Sequence, residues 1–169
     1  MNTERERMQE DNEFQQVVER YEDMLRESRV RFFDVEEFEY IIDYYLDLRL
    51  FNQAYEAAEI AKSQHPDSPD IMIKIIHIHI ENGKPILAME LINKLPSWEK
   101  EDPEILLLKS TALAQLGRIR EAEKLFDYAL ELSEEDKVEI LLNISTTFEN
   151  VRQYRLSVKY LLKAWEYEP

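Results

Sequence analysis

Apolar residues along this chain return at intervals of three and four, the spacing that lines one face of an α-helix. After Asp34, the residues Phe38, Ile41, Ile42 and Tyr45 share such a face. Asp34 and Glu37 read as a capping box at the start of that helix, with Phe33 and Phe38 as the hydrophobic staple around it. The six prolines, Pro66, Pro69, Pro85, Pro96, Pro103 and Pro169, mark helix starts or the residues beyond helix ends. The chain has two glycines, Gly83 and Gly117, 34 residues apart. Ala54, Ala88 and Ala122 keep the same interval, and Ser157 follows at 35. Phe38, Met72, Leu106 and Leu141 fall in phase as large apolar positions, as do Tyr45, His79, Leu113 and Phe148. Ala61, Leu95, Ala129 and Ala164 match near the unit ends. The pattern is a repeat.

Each unit reads as two antiparallel helices joined by a short turn. The first pair is expected at Val35–Leu48 and Asn52–Ser63, and the second at Pro69–Glu81 and Pro85–Lys94. The third is expected at Pro103–Leu116 and Ile119–Leu132, and the fourth at Glu135–Asn150 and Gln153–Tyr167. The small residue early in each second helix lets paired backbones approach closely, and Phe126 with Leu113 and Leu106 fills the space between hairpins. Gly83 and Gly117 are expected to end first helices with φ > 0. Arg49 and Arg152 stand at the matching positions, so those turns are expected to be less sharply defined.

The segment Ala112–Leu132, ALAQLGRIREAEKLFDYALEL, carries a Leu-Gly turn at Leu116–Gly117 followed by Glu121-Ala122, Phe126 and Ala129. It resembles the tetratricopeptide repeat (TPR). The resemblance runs from about residue 35 to 169 in four units, close in the third, good in the first and fourth, and weaker in the second. The family's early Trp and Gly are replaced, for instance by Phe38 and Ile42, or by Leu106 and Ser110. The implied fold is all-α, a right-handed superhelix of tandem helix–turn–helix repeats. The resulting division is 1–34 as an N-terminal capping helix and linker, then repeats at 35–68, 69–102, 103–137 and 138–169.

In residues 1–34, the apolar stripe Phe14, Val17, Val18, Tyr21 and Leu25 suits a helix that covers the first hairpin. A helix lying in the groove as a built-in ligand is the alternative. The last helix is apolar on more than one side, through Tyr154, Val158, Leu161, Leu162, Ala164, Trp165 and Tyr167. The array is therefore expected to be cut short at Pro169, the alternative being self-association through the helix around Trp165.

The resemblance implies a binding role for the inner stripe of each first helix. That stripe is Glu36, Glu39, Asp43 and Asp47 in the first unit, and Ile73, His77 and Ile80 in the second. It continues as Leu107, Thr111 and Ala114 in the third and Leu142, Thr146 and Glu149 in the fourth. One version of this groove in the family clamps a C-terminal carboxylate with Lys, Asn and Arg. Its positions here hold Glu39, Asp43, Ile73, His77, Leu107 and Thr111, so the clamp is absent and a chaperone-tail partner is disfavoured. The stripe grades instead from acidic to apolar, which suits a peptide or helix with Lys or Arg at one end and aliphatic residues at the other.

Charge sharpens this picture. Over 169 residues, 21 basic and 36 acidic residues give a net charge of −15, which argues against nucleic acid as a partner. Residues 35–68 hold two basic and eight acidic residues, −6, whereas 137–169 hold five basic and four acidic, +1. The longest uncharged stretch is the nine residues Ile140–Phe148, against the ~20 a membrane span needs. With no secretory signal visible and no cysteine, the chain reads as soluble and cytoplasmic.

Candidate chemistry is sparse. His77 and His79 lie about 200° apart around one helix and cannot share a metal. His79 takes a core slot, and His65 precedes Pro66 in a loop with no partner legible. Carboxylate pairs such as Glu36-Glu37 and Glu134-Glu135 are too common to mark an acid–base site, and no nucleophile elbow or Gly-rich phosphate loop occurs. Tyr40, Tyr44, Tyr45, Phe51 and Tyr55 read as packing between the first hairpin and the N-terminal helix. No enzyme, cofactor or metal is expected. The leading expectation is a non-catalytic protein-interaction scaffold. The alternative is an oligomerisation module, or a spacer arm for a downstream catalytic or DNA-binding domain.

Overall fold

Small residues at a fixed interval end up fully buried. Ala54, Ala88 and Ala122 expose nothing, and Ser157 is buried at the matching place in the last hairpin. The computed structural model describes residues 2–133 and 137–167, with side chains from residue 14 onward. Among these residues every regular element is helical: α1 (Asn2–Glu27), α2 (Val35–Asp47), α3 (Phe51–Gln64), α4 (Pro69–Glu81), α5 (Pro85–Lys94), α6 (Pro103–Gln115), α7 (Ile119–Leu132), α8 (Lys137–Asn150) and α9 (Tyr154–Tyr167). A short 3-10 turn, Glu99–Glu101, precedes α6. The start expected at Glu135, the Glu134–Glu135 pair and Pro169 lie outside the described residues. The chain divides into two compact units, Met1–Ile78 and His79–Pro169, the boundary falling within α4.

In the first unit α2 begins as its sequence dictates. The Asp34 carboxylate accepts from Glu37 N at 2.9 Å, and Glu37 accepts from Asp34 N at 3.0 Å. Phe33 meets Phe38 at 5.5 Å between ring centroids, completing the staple. α1 covers α2 by aromatic packing: Phe14 stacks on Tyr40 at 4.2 Å, and Tyr21 meets Phe33 at 5.8 Å and Tyr45 at 6.3 Å, edge to face. Arg20 pairs with Glu37 while its guanidinium lies 4.5 Å over the Phe33 ring. These partners on α2 are Glu37, Tyr40 and Tyr45, outside the stripe Glu36, Glu39, Asp43 and Asp47. α1 is a cap. The linker after it is held by Gln64, which accepts from Phe33 N at 3.0 Å and donates to Arg31 O at 2.9 Å.

The second unit has a continuous core of Leu113, Ala122, Phe126, Ile140, Leu141, Ile144, Phe148, Tyr160 and Ala164. Phe126 meets Phe148 edge to face at 5.5 Å, and Phe148 stacks on Tyr160 at 5.5 Å. Ser157 stands where the other hairpins carry alanine because a second hydroxyl is at hand. Ser145 Oγ lies 2.9 Å from Ser157 Oγ and donates to Ser157 O at 3.0 Å, so neither buried group is orphaned. Between α7 and α9, Lys159 Nζ reaches Glu123 at 2.8 Å, and Lys163 Nζ and Tyr160 Oη both reach Asp127 at 3.0 Å.

The turns differ from expectation. Arg49 (φ 58) and Arg152 (φ 61) take the same left-handed conformation as Gly83 (φ 64) and Gly117 (φ 77). At each, the left-handed residue donates to the carbonyl three before it, and the next residue to the carbonyl five before. Thus Arg49 N bonds Leu46 O at 2.9 Å and Leu50 N bonds Tyr45 O at 2.8 Å, as Gly117 N bonds Ala114 O at 3.0 Å and Arg118 N bonds Leu113 O at 2.9 Å. All four turns close alike. The helix-end hydrogen bonds and hairpin packing hold arginine in a conformation that disfavours a Cβ by about 1–2 kcal/mol.

Candidate functional site

On α2, Glu36 and Asp47 are exposed and Glu39 and Asp43 half-buried, so the acidic stripe faces outward over its length. α4 brings Ile73 and His77, both half-buried, and between them in sequence Lys74, whose Nζ donates to Asp43 Oδ2 at 2.6 Å. The stripe therefore carries a built-in counter-ion at Asp43. Sequence reasoning missed it, although Lys74 is the one Lys or Arg in α4. Burial chiefly raises the pKa of Glu39; Asp70, Asp43 and Glu36 add to the rise, and Lys74 opposes it.

In the second unit Ile80 is 2% exposed and Ala114 is buried, so neither offers a partner side-chain surface. Ile80 instead lends its carbonyl to Gln115 Nε2 at 3.0 Å. Leu107 and Thr111 on α6 are half-buried, whereas Leu142, Thr146 and Glu149 on α8 are exposed. Both threonine hydroxyls bond within their own helix, Thr111 to Leu107 O and Thr146 to Leu142 O, each at 3.0 Å. Along this stripe the leucine side chains and threonine methyls offer aliphatic surface, and the row ends at the exposed carboxylate of Glu149.

The remaining candidates settle into structural roles. His65, expected to lack a partner, bonds through Nε2 to Phe33 O at 2.8 Å and lies edge to face against Phe32 and Phe38. His79 is half-buried, and burial first, then Lys84, lowers its pKa and favours the neutral imidazole. Tyr45 is buried and its phenol is pushed up to about 12, chiefly by burial and then by Glu22. Tyr40 packs on α1, while Tyr44 and Tyr55 are exposed at their edges. Among the described residues no group of three or more His, Asp or Glu is placed to hold a metal ion. No helix among them is long and apolar enough to cross a membrane.

No family model and no curated protein matches the sequence. Solved structures do match. MamA MSR-1 aligns over 93% of this chain and 92% of its own at 21% identity, with a TM-score of 0.54. MamA AMB-1 aligns over 93% and 90%, also at 21% identity and 0.54. YrrB, described as a TPR protein with an unusual peptide-binding site, aligns over 96% of this chain and 81% of its own at 17% identity and 0.56. Buried alanines at the repeat interval, paired helices closed by four matching turns, and these neighbours agree: the chain has the tetratricopeptide-repeat fold, all-α hairpins in tandem behind an N-terminal capping helix.

Proposed function

We propose that this chain is a non-catalytic interaction scaffold that holds a peptide or helix of a partner protein against the inner stripe of its first helices. In the first unit, Glu36, Glu39 and Asp47 select Lys or Arg side chains, with Ile73 and His77 as the contact floor beside them. In the second unit, Leu107, Thr111, Leu142 and Thr146 supply aliphatic contact. One observation carries the reading: α2 sets four carboxylates in one row, and among the described residues the ion pair to that row is Lys74 with Asp43. A partner's cations complete what the chain leaves unbalanced. The likeness to YrrB, for which a peptide-binding site is described, supports this use of the fold.

The test is fluorescence anisotropy with labelled peptides that carry Lys or Arg at one end and Leu or Ile at the other. Asp47→Lys should weaken binding about tenfold and flatten its dependence on salt. Because Glu39 holds its proton to higher pH than an ordinary glutamate, affinity for the cationic peptide should fall as pH drops through the upper carboxylate range. Unchanged affinity and salt slope in Asp47→Lys would refute the role given to α2.

A further inference from the structure

Helices α7 and α9 occupy the same place in consecutive hairpins, offset by 35 residues as Ala122 and Ser157 show. Their outward faces differ in kind. On α7, Glu123 and Asp127 form the ion pairs that receive Lys159 and Lys163 of α9, and Phe126 is buried against Phe148 of α8. The matching residues on α9 are Val158, Leu162 and Leu161, all exposed. Where α7 offers carboxylates to its neighbour, α9 offers aliphatic side chains that nothing in the described structure covers. Leu162 is 60% exposed and Trp165 66%, and with Val138, Leu142 and Leu161 they line a cleft of about 410 Å³. A face made to meet water would show the reverse pattern.

We propose that this face pairs with the same face of a second copy of the chain, α9 against α9 in antiparallel fashion about a twofold axis. Three observations favour that occupant. Tyr154, Val158, Leu161 and Trp165 are spaced four, three and four apart, the repeat of an interhelical seam, and all are exposed. Lys159 and Lys163 lie round the helix from the seam and are committed to Glu123 and Asp127 of α7, so they do not repel their counterparts. Residues 137–169 carry five basic and four acidic residues in a chain of net charge −15, so copies meet here with least like-charge repulsion. Arg155 and Glu166, eleven residues or about three turns apart, share one flank of α9, and neither forms an ion pair among the described residues. Antiparallel pairing sets Arg155 of one copy against Glu166 of the other, twice by symmetry.

Leu142 serves both this cleft and the aliphatic contacts proposed above, whereas Asp47 and Leu162 each belong to one reading, so the Asp47→Lys titration and the Leu162→Glu assembly test fail independently. Sedimentation equilibrium of the chain over a range of concentrations should show a monomer–dimer equilibrium. Leu162→Glu should raise the dimer Kd at least about tenfold while helical circular dichroism stays unchanged. Arg155→Glu should weaken the dimer several-fold, and adding Glu166→Arg to it should restore the original Kd. A monomer at every concentration overturns the proposal. So does a dimer indifferent to Leu162→Glu, or a double variant as weak as Arg155→Glu alone.

Discussion

The first and last hairpins end in opposite ways. α2 of the first lies under α1, which brings Phe14, Tyr21 and Arg20 onto Tyr40, Tyr45, Phe33 and Glu37. α9 of the last keeps Val158, Leu161, Leu162 and Trp165 open. Both outward faces are rich in large apolar side chains, so composition alone does not separate them. The separation lies in what is packed on top. A covered face develops edge-to-face rings and a paired guanidinium, whereas the open one holds aliphatic residues with no polar partner among them. The chemistry of a helix face therefore shows whether another element of the described structure covers it.

The largest expected effect tests that contrast with two aromatic truncations. Tyr21 is 1% exposed at the covered end, so Tyr21→Ala should destabilise the chain by about 3–5 kcal/mol, as for other buried aromatics. Trp165→Ala at the open end, measured by urea unfolding at a dilution where the chain is monomeric, should change stability by less than about 0.5 kcal/mol. Comparable losses at both sites would mean that α9 is covered in solution even in the monomer. The smaller effect concerns the turns. Arg49→Gly and Arg152→Gly relieve a left-handed backbone while keeping the backbone hydrogen bonds of each turn, and each should stabilise its hairpin by up to about 1 kcal/mol in the same assay. A loss of stability at either site would show that the arginine side chain is held by contacts worth more than the backbone relief.

Much of the fold was legible because its determinants are local or periodic. The Asp34–Glu37 capping box, the Phe33–Phe38 staple and the alanine at position 54, 88 or 122 each depend on spacing that the sequence displays directly. The Arg49 and Arg152 turns were not legible, because arginine carries no local mark of φ > 0; only the surrounding hairpin imposes it. α4 was misjudged for another reason. Its run IMIKIIHIHI is apolar on nearly every side, so periodicity has little contrast with which to choose a face. Ile71, Ile75, Ile76, Ile78 and Ile80 are buried, whereas Met72, aligned with the core residue Phe38, is half-exposed. The same ambiguity put Ile80 on the binding stripe. For the candidate site, the acidic row on α2 was readable, but its counter-ion was not. Lys74 reaches Asp43 across 31 residues, and only the placement of α4 in the first unit brings them to 2.6 Å. The His65–Phe33 bond, across 32 residues, escaped for the same reason.

Beneath the binding and assembly proposals lies one requirement, that neighbouring helices come together where the chain repeats a small side chain. The most direct measurement is equilibrium urea unfolding of Ala122→Leu, since Ala122 exposes nothing and sits within the second unit's core. The added atoms have no room, so the variant should lose about 1–3 kcal/mol with little change in the dependence on urea. An Ala122→Leu chain as stable as the original would contradict the account, because it would mean that this position does not set how closely the hairpins pack.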